Sequence, residues 1–272
     1  MSIKDILVHV DASPASDQRI QLACRLAHRF GAHLTGLSIR PRLDWFAMPP
    51  ESGAAAMAVV SWLDDLIAAT ERLGEQFKVF LKNNGVAGEW HMADGPPAFE
   101  LTRWGNTADL VILGQSDPQH RTELRTPEDV VLGCGRPVLM VPYAGSFVHV
   151  GETALVAWDA SSQAARAAHD ALALLAPAAK VSVLSVSPSE EQRASGERLA
   201  AGLARHGFSA NAEIMHPRDL APAEAVLSST AEGSGDLIVM GAYSHTRLRE
   251  LILGGMTRDM LRSMTVPVLM AH

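Results

Sequence analysis

The 272 residues leave room for one large domain or two smaller ones, and 47% hydrophobic against 19% charged residues is the balance of an ordinary globular protein with ample core material. A formal net charge of −7 gives no basic field for a nucleic-acid backbone, so nucleic acid is set aside as a partner. No apolar run approaches the ~18 residues of a transmembrane helix, and Met1-Ser-Ile-Lys-Asp5 leads into a strand instead of a signal peptide, so a cytoplasmic protein without a membrane partner is expected.

In chain order, Ile6-Leu-Val-His-Val-Asp11 is an apolar strand ending in an aspartate, followed by Ala12-Ser13-Pro14 and a helical pattern that holds Cys24 in its apolar stripe. Further strands are expected near 34–39, 88–92, 109–114 and 137–142, the first lying near 4–10. The stretch 143–152, with Gly145, Ser146 and Gly151, reads as a linker. Five more strands follow near 153–158, 180–186, 210–215, 236–241 and 266–271. Residues 48–54 form the one stretch read as a candidate for disorder.

The two sets of strands are copies of one plan. Asp11 matches Asp159 at 148 residues' distance, and Leu37-Ser-Ile39 matches Leu184-Ser-Val186 at 147. Asp109-Leu-Val-Ile-Leu-Gly114 matches Asp236-Leu-Ile-Val-Met-Gly241 at 127, and Pro137-Val-Leu-Met140 matches Pro267-Val-Leu-Met270 at 130. Four matched blocks in one order identify a tandem duplication. The shortened offset places extra residues in the first half, within 42–69. The later rise gives the second half three more residues between its fourth and fifth strands. Strands alternating with helical patterns predict a parallel sheet with helices on both faces in each half.

Those three extra residues fall in 241–255, Gly-Ala-Tyr-Ser-His-Thr-Arg-Leu-Arg-Glu-Leu-Ile-Leu-Gly-Gly. The segment leaves a buried strand and enters a helix, marked by Met256, Met260, Leu261 and Met264, through two glycines. Free amide groups and the positive end of a helix dipole attract anions at such places. Neither a Walker loop nor a Gly-x-Gly-x-x-Gly dinucleotide fingerprint is present. The frame Gly241, two residues, Ser244, nine residues, Gly254, then Gly255 resembles the phosphate loop of the universal stress protein family. Its nucleotide-binding members carry Gly, two residues, Gly, nine residues, Gly, then Ser or Thr. The spacing agrees in full, with Ser244 in place of a glycine and Gly255 in place of the hydroxyl residue.

The resemblance implies two tandem Rossmann-like, adenine nucleotide alpha hydrolase-like domains of α/β class, each with a five-stranded parallel sheet. They are expected at 1–143, with a degenerate phosphate loop, and at 152–272, with the glycine-containing loop. Carried over residue by residue, the nucleotide site falls to Asp159 beside the adenosine, Val186 at the adenine edge, and Gly241, Ser244, Gly254, Gly255 and Met256 around the ribose and phosphates. Asp159 also reads as a helix cap, and Gly254-Gly255 as a helix entry without ligand. Thr257 is expected to restore the hydrogen bond lost at Gly255, and His245, Arg247, Arg249 and Arg258 bring positive charge near the loop. After Gly114 the first half has Pro118 and Pro127 and no later glycines, and is expected not to bind a nucleotide in that manner.

No nucleophile elbow, His-Glu-x-x-His or metal-spaced cysteine pair occurs. Eleven histidines are scattered, with His9 in an apolar strand read as a core residue. Of the two cysteines, Cys134 between Gly133 and Gly135 is expected to be the more exposed. The function that follows is ATP binding, with ADP or AMP as alternatives and Mg²⁺ as an accompanying ion, in a stress sensor or adaptor that is not an enzyme. A scaffold without nucleotide and a slow ATP hydrolase remain the alternatives. The resemblance also implies an intramolecular pseudo-dimer made by the final strands of the two halves. A homodimer and a further protein partner stay open.

Overall fold

The computed structural model of the chain describes residues 2–40, 53–116, 126–217, 219–243 and 255–272. The first half runs β1 (Asp5–His9), α1 (Ser16–Phe30), β2 (His33–Arg40), α2 (Gly53–Asn84), β3 (Gly88–Asp94), α3 (Pro97–Gly105), β4 (Leu110–Gly114), α4 (Thr126–Gly133) and β5 (Val138–Val141). The second runs β6 (Thr153–Ala157), α5 (Ser162–Ala171), β7 (Lys180–Val186), α6 (Glu190–Arg205), β8 (Ser209–Met215), α7 (Pro222–Glu232), β9 (Leu237–Gly241), α8 (Met256–Ser263) and β10 (Val268–Ala271). All ten strands fall where the apolar runs placed them, with bounds shifted by at most two residues. Of the stretch 48–54, residues 48–52 lie outside the described residues, and 53–54 open α2.

The sheet order is β3-β2-β1-β4-β5-β10-β9-β6-β7-β8. Pairing is parallel within each half and antiparallel only where β5 meets β10, through Val268 opposite Met140, Leu269 opposite Leu139 and Met270 opposite Val138. All six are essentially inaccessible to solvent. Joining there removes an exposed apolar edge from each half.

Successive strand residues point to opposite faces, and both faces are covered. Ile6, Val8, Leu110, Ile112 and Val156 pack with Ile20 of α1, Phe77 of α2, Ala167 of α5 and Leu203 of α6. Leu7, Val111, Leu113, Leu155 and Ile238 pack with Leu101 of α3, Val130 of α4, Val226 of α7 and Met260 of α8. This two-sided burial is why the strands read as continuous apolar runs. The first half's extra residues lengthen one helix, since α2 has 32 residues against 16 in its counterpart α6.

The aspartates that open the third repeat block are staples. Asp109 accepts the backbone N–H groups of Lys4 (2.7 Å) and Asp5 (3.1 Å). Asp236 does the same for Gly151 (2.7 Å), Glu152 (3.0 Å) and Thr153 (3.2 Å). Each carboxylate thus fixes where the fourth strand of its half starts relative to the first. The linker is packed down as well. Phe147 and Val150 are buried, and their carbonyls accept from Arg25 (2.7 Å) and Arg29 (2.9 Å) of α1.

Candidate functional site

In both halves the strand order turns back beside the first strand, so a crevice opens beyond the carboxyl ends of β1 and β4, and of β6 and β9. The two crevices carry the same backbone plan and different chemistry.

In the second half, β6 ends at Ala157 and the chain turns through Ala160, whose φ of 63° is left-handed, to Ser161, the N-cap of α5. Ser161 Oγ accepts from the N–H of Ala164 at 3.1 Å. Asp159 is therefore not the cap. Its exposed carboxylate accepts the Ser161 N–H at 2.9 Å and the Ser161 hydroxyl at 2.6 Å, orienting the residue that caps. Gln192, which sequence reasoning passed over, closes the other side: its amide donates to the Asp159 carbonyl at 3.0 Å and its oxygen accepts the Ser189 N–H at 2.9 Å. The Ser-x-x-Gln spacing of a capping box marks it in the sequence.

Gly241 ends β9 under the first turn of α5. A β-carbon there would stand 2.4 Å from Ala164 N and 2.7 Å from the Gln163 carbonyl carbon, so only glycine allows helix and strand end to meet this closely. Beyond it, Tyr243 adopts a left-handed φ of 56° and donates its N–H to Thr257 Oγ1 at 3.2 Å. Gly255 is the N-cap of α8, extended at φ −63° and ψ 155°, and offers no side chain to the helix. The first intrahelical donors to reach it are the N–H groups of Arg258 (2.9 Å) and Asp259 (3.2 Å). Those of Met256 and Thr257 precede any intrahelical acceptor. Val186, at the end of β7, stands opposite Met215 in the β8 register, and Val186, Met215, Tyr243 and Met256 are each partly buried against the core on the α7–α8 side of the sheet.

Of the expected site residues, Asp159, Val186, Gly241, Gly255 and Met256 lie on the elements that border this crevice, and Met215, Tyr243 and Gln192 join them. Ser244 and Gly254, with His245, Arg247 and Arg249, lie outside the described residues. Thr257 has a structural partner of its own. It is buried, and its hydroxyl oxygen accepts the Tyr243 N–H, which pins strand end to helix.

The first half fills the matching position from within. Arg19 of α1 is only 2% exposed, its guanidinium 2.9 Å from Asp11 and its Nε donating to the His9 carbonyl at 2.7 Å. A β-carbon on Gly114 would stand 2.1 Å from Arg19 Nη1, so the guanidinium lies directly on that strand end. Asp11 also accepts the Ser13 N–H at 2.9 Å and the Ser13 hydroxyl. Burial pushes the Asp11 carboxyl up, but Arg19, His9 and the Ser13 bonds outweigh it and hold the group well below the usual carboxylate range. Burial is also what drives His9 down, to about 4, against the pull of Asp11. His9 is thus a neutral, mostly covered neighbour of an ion pair, where the sequence suggested a core residue. At 148 residues' distance Arg19 corresponds to Ala167, so the second half has no cation at that position.

Cys134 is the more exposed of the two cysteines, as expected, but only by a margin, since Cys24 is 0% exposed. Cys134 is 4% exposed, facing Gly105, whose added β-carbon would meet its sulfur at 2.7 Å. Burial raises its pKa, and that of Cys24 to about 11, so neither thiol is poised to react. Among the described residues no three His, Cys, Asp or Glu side chains are grouped as metal ligands, and no helix is long and apolar enough to cross a membrane. His91 packs on Trp104 of α3 with ring centroids 4.6 Å apart, while His272 Nδ1 contacts the Ala242 carbonyl across the sheet.

Comparison with known proteins gives a consistent picture. A family model described as the universal stress protein family matches residues 2–142 and again 152–272. Among solved structures, a universal stress protein from Archaeoglobus fulgidus DSM 4304 superposes over 98% of this chain and 96% of its own, with a TM-score of 0.79 at 17% identity. A putative universal stress protein from Pseudomonas aeruginosa UCBPP-PA14 covers 99% of this chain and 93% of its own, with a TM-score of 0.57 at 20% identity. At these identities the likeness is one of fold. Universal stress protein Slr1230 of Synechocystis is 39% identical over 46 residues, a stretch spanning 17% of this chain and 16% of that protein.

Proposed function

The chain belongs to the universal stress protein family, with two copies of the family domain in tandem, and from that premise we propose that its second half binds one adenine nucleotide, ATP first, as the sensing step of a stress adaptor. The domains are placed at 1–143 and 152–272, the joined final strands making the chain the intramolecular counterpart of a dimer.

The observation that carries the reading is the contrast between the crevices. In the second half Gly241 ends β9 against Ala164 and Gln163 at the start of α5, with no arginine laid on it, and Tyr243 just beyond ties that strand end to the N-terminus of α8 at Gly255 and Met256, while the partly buried Val186, Met215 and Tyr243 supply an apolar rim. Backbone amides and a helix dipole suit phosphates, and the rim suits a purine face. In the first half the equivalent strand end is covered by Arg19, already neutralised by Asp11. Ser244 and Gly254 complete the phosphate loop in this reading, and Mg²⁺ accompanies the nucleotide.

The protein acts by binding. Hydrolysis, if it accompanies binding, is slow, because Asp159 is engaged with Ser161 and, among the described residues, no three His, Cys, Asp or Glu side chains are grouped to hold a metal. The test is to denature freshly purified protein, identify released nucleotide by chromatography and mass, and titrate ATP by calorimetry. Micromolar ATP binding supports the reading; no released nucleotide and no heat at millimolar ATP leaves the scaffold alternative.

A further inference from the structure

α8 is the helix whose N-terminus fronts the second crevice, and with eight residues it is too short to hold itself in place. Near its N-terminus it is fixed within its own half, by Thr257 Oγ1 accepting the Tyr243 N–H. The other end is held from the opposite half. Gln115, the residue after Gly114, is 7% exposed, and its amide nitrogen donates to the carbonyls of Leu261 (2.9 Å) and Arg262 (3.1 Å) in the last turn of α8. These are carbonyls that a helix end leaves without intrahelical partners. The Gln115 side-chain oxygen accepts the Tyr143 N–H at 3.2 Å, just beyond β5, so the amide plane is set from both sides.

The bridge runs one way. At 127 residues' distance the counterpart of Gln115 is Ala242, which keeps the backbone bond, Ala242 N–H to the Ala271 carbonyl (2.9 Å) against Gln115 N–H to the Val141 carbonyl (2.8 Å), but has no side chain to reach α4. Repeat symmetry therefore does not account for Gln115.

We propose that Gln115 is a positioning residue through which the first half, itself closed by Arg19, holds α8 against the second crevice, so that the nucleotide site of one half is completed by the other. This rests on the nucleotide-binding reading for its ligand, though not for its mechanics. A rotation of α8 about its fixed N-terminal contact moves the Met256 and Thr257 amides relative to Gly241. Holding the far end prevents that rotation before the ligand arrives. In the opposite sense, a ligand that pulls on the N-terminus of α8 is felt at Gln115, hence at the segment leaving Gly114 in the first half.

The test compares Gln115→Met, which keeps the bulk and loses all three side-chain bonds, with Gln115→Glu, which keeps an acceptor for Tyr143 and loses the donor to α8. Amide hydrogen exchange is followed peptide by peptide without ligand, and ATP is titrated by calorimetry on the same samples, with thermal melts to show that both variants fold. Exchange is expected to accelerate at least fivefold in 257–264 while 222–232 and the strands β6 and β9 stay at parental rates. ATP affinity is expected to fall about tenfold, the order of one lost buried hydrogen bond or two. Unchanged exchange in α8 overturns the inference whether or not ATP binds, as does acceleration spread evenly over β5 and β10. Parental ATP affinity in both variants overturns it too. If the parent itself binds no ATP, the nucleotide reading fails and the exchange result alone decides the positioning claim.

Discussion

Replacing Gly255 by aspartate separates the stability of α8 from the binding of an anion at its end. Gly255 sits at φ −63° and ψ 155°, ordinary extended backbone that aspartate adopts, and no side chain caps the helix there. An N-cap aspartate accepts the N–H of the second or third helical residue and improves on glycine by a few tenths of a kcal/mol, roughly. Its charge at the positive end of the dipole adds about 0.3–1 kcal/mol. The melting temperature should therefore hold or rise. The same carboxylate takes the amide hydrogens that a phosphate needs and sets a negative charge beside it. Losing one charge-assisted hydrogen bond costs about 1.5–3 kcal/mol, which at ~1.4 kcal/mol per tenfold weakens ATP binding on the order of 10- to 150-fold before repulsion is counted. Thermal melts without ligand and calorimetric titrations with ATP report the two effects on one sample. A Gly255→Asp protein that is as stable as its parent and binds ATP within twofold of parental affinity would refute the phosphate position assigned here.

His9 makes the first half sensitive to mild acid. Its pKa falls from an ordinary 6.5 to about 4 on folding, so between those values the unfolded chain binds more protons and stability drops as pH falls, by up to about 3 kcal/mol. His9→Phe should flatten the urea midpoint between pH 6.5 and 4.5; an unchanged slope would show that His9 is not the titrating group. The depressed Asp11 carboxyl acts lower still, its contribution being present above the ordinary carboxylate pKa and lost as pH falls through its own value in the folded protein. At the seam between halves, Leu269 faces Leu139 with both 1% exposed or less, and Leu269→Ala should cost about 2–5 kcal/mol in denaturant titrations. A cost under ~1 kcal/mol would mean the seam is not packed as described. Both cysteines are buried with raised pKa values, so a thiol reagent should titrate neither in the native protein and both after denaturation. Rapid native reaction at Cys134 would contradict its burial.

Most of the fold was legible because the sheet is buried on both faces. Runs such as Leu110–Leu113 and Leu237–Met240 are apolar throughout, the texture of a strand covered on both faces. The repeat then supplied the division into halves, and the family resemblance implied that the final strands β5 and β10 meet, while their antiparallel direction came from the structure. The site was legible where backbone makes it. Gly241 and Gly255 announce a strand end and a helix entry by being glycine. What side chains do across the fold was not legible. Arg19 reads as one more polar residue in a helical pattern, and only the fold lays it on Gly114, 95 positions away, and beside Asp11. That Thr257 accepts the Tyr243 N–H, 14 residues back, is likewise set by the fold. Nor does the sequence show that Gly105 of α3, by lacking a side chain, makes room for the Cys134 sulfur. Gln115 carries no motif, and its partners are 146 and 147 residues away.

The central claim is that one crevice of two is built for a nucleotide, and native mass spectrometry of the intact chain with increasing ATP tests it most directly. The account predicts a single added ATP mass per chain, retained in an Arg19→Met protein and lost in Gly255→Asp. Two bound nucleotides per chain, or one that persists in Gly255→Asp and vanishes in Arg19→Met, would contradict it by placing the ligand in the half that Arg19 is argued to close.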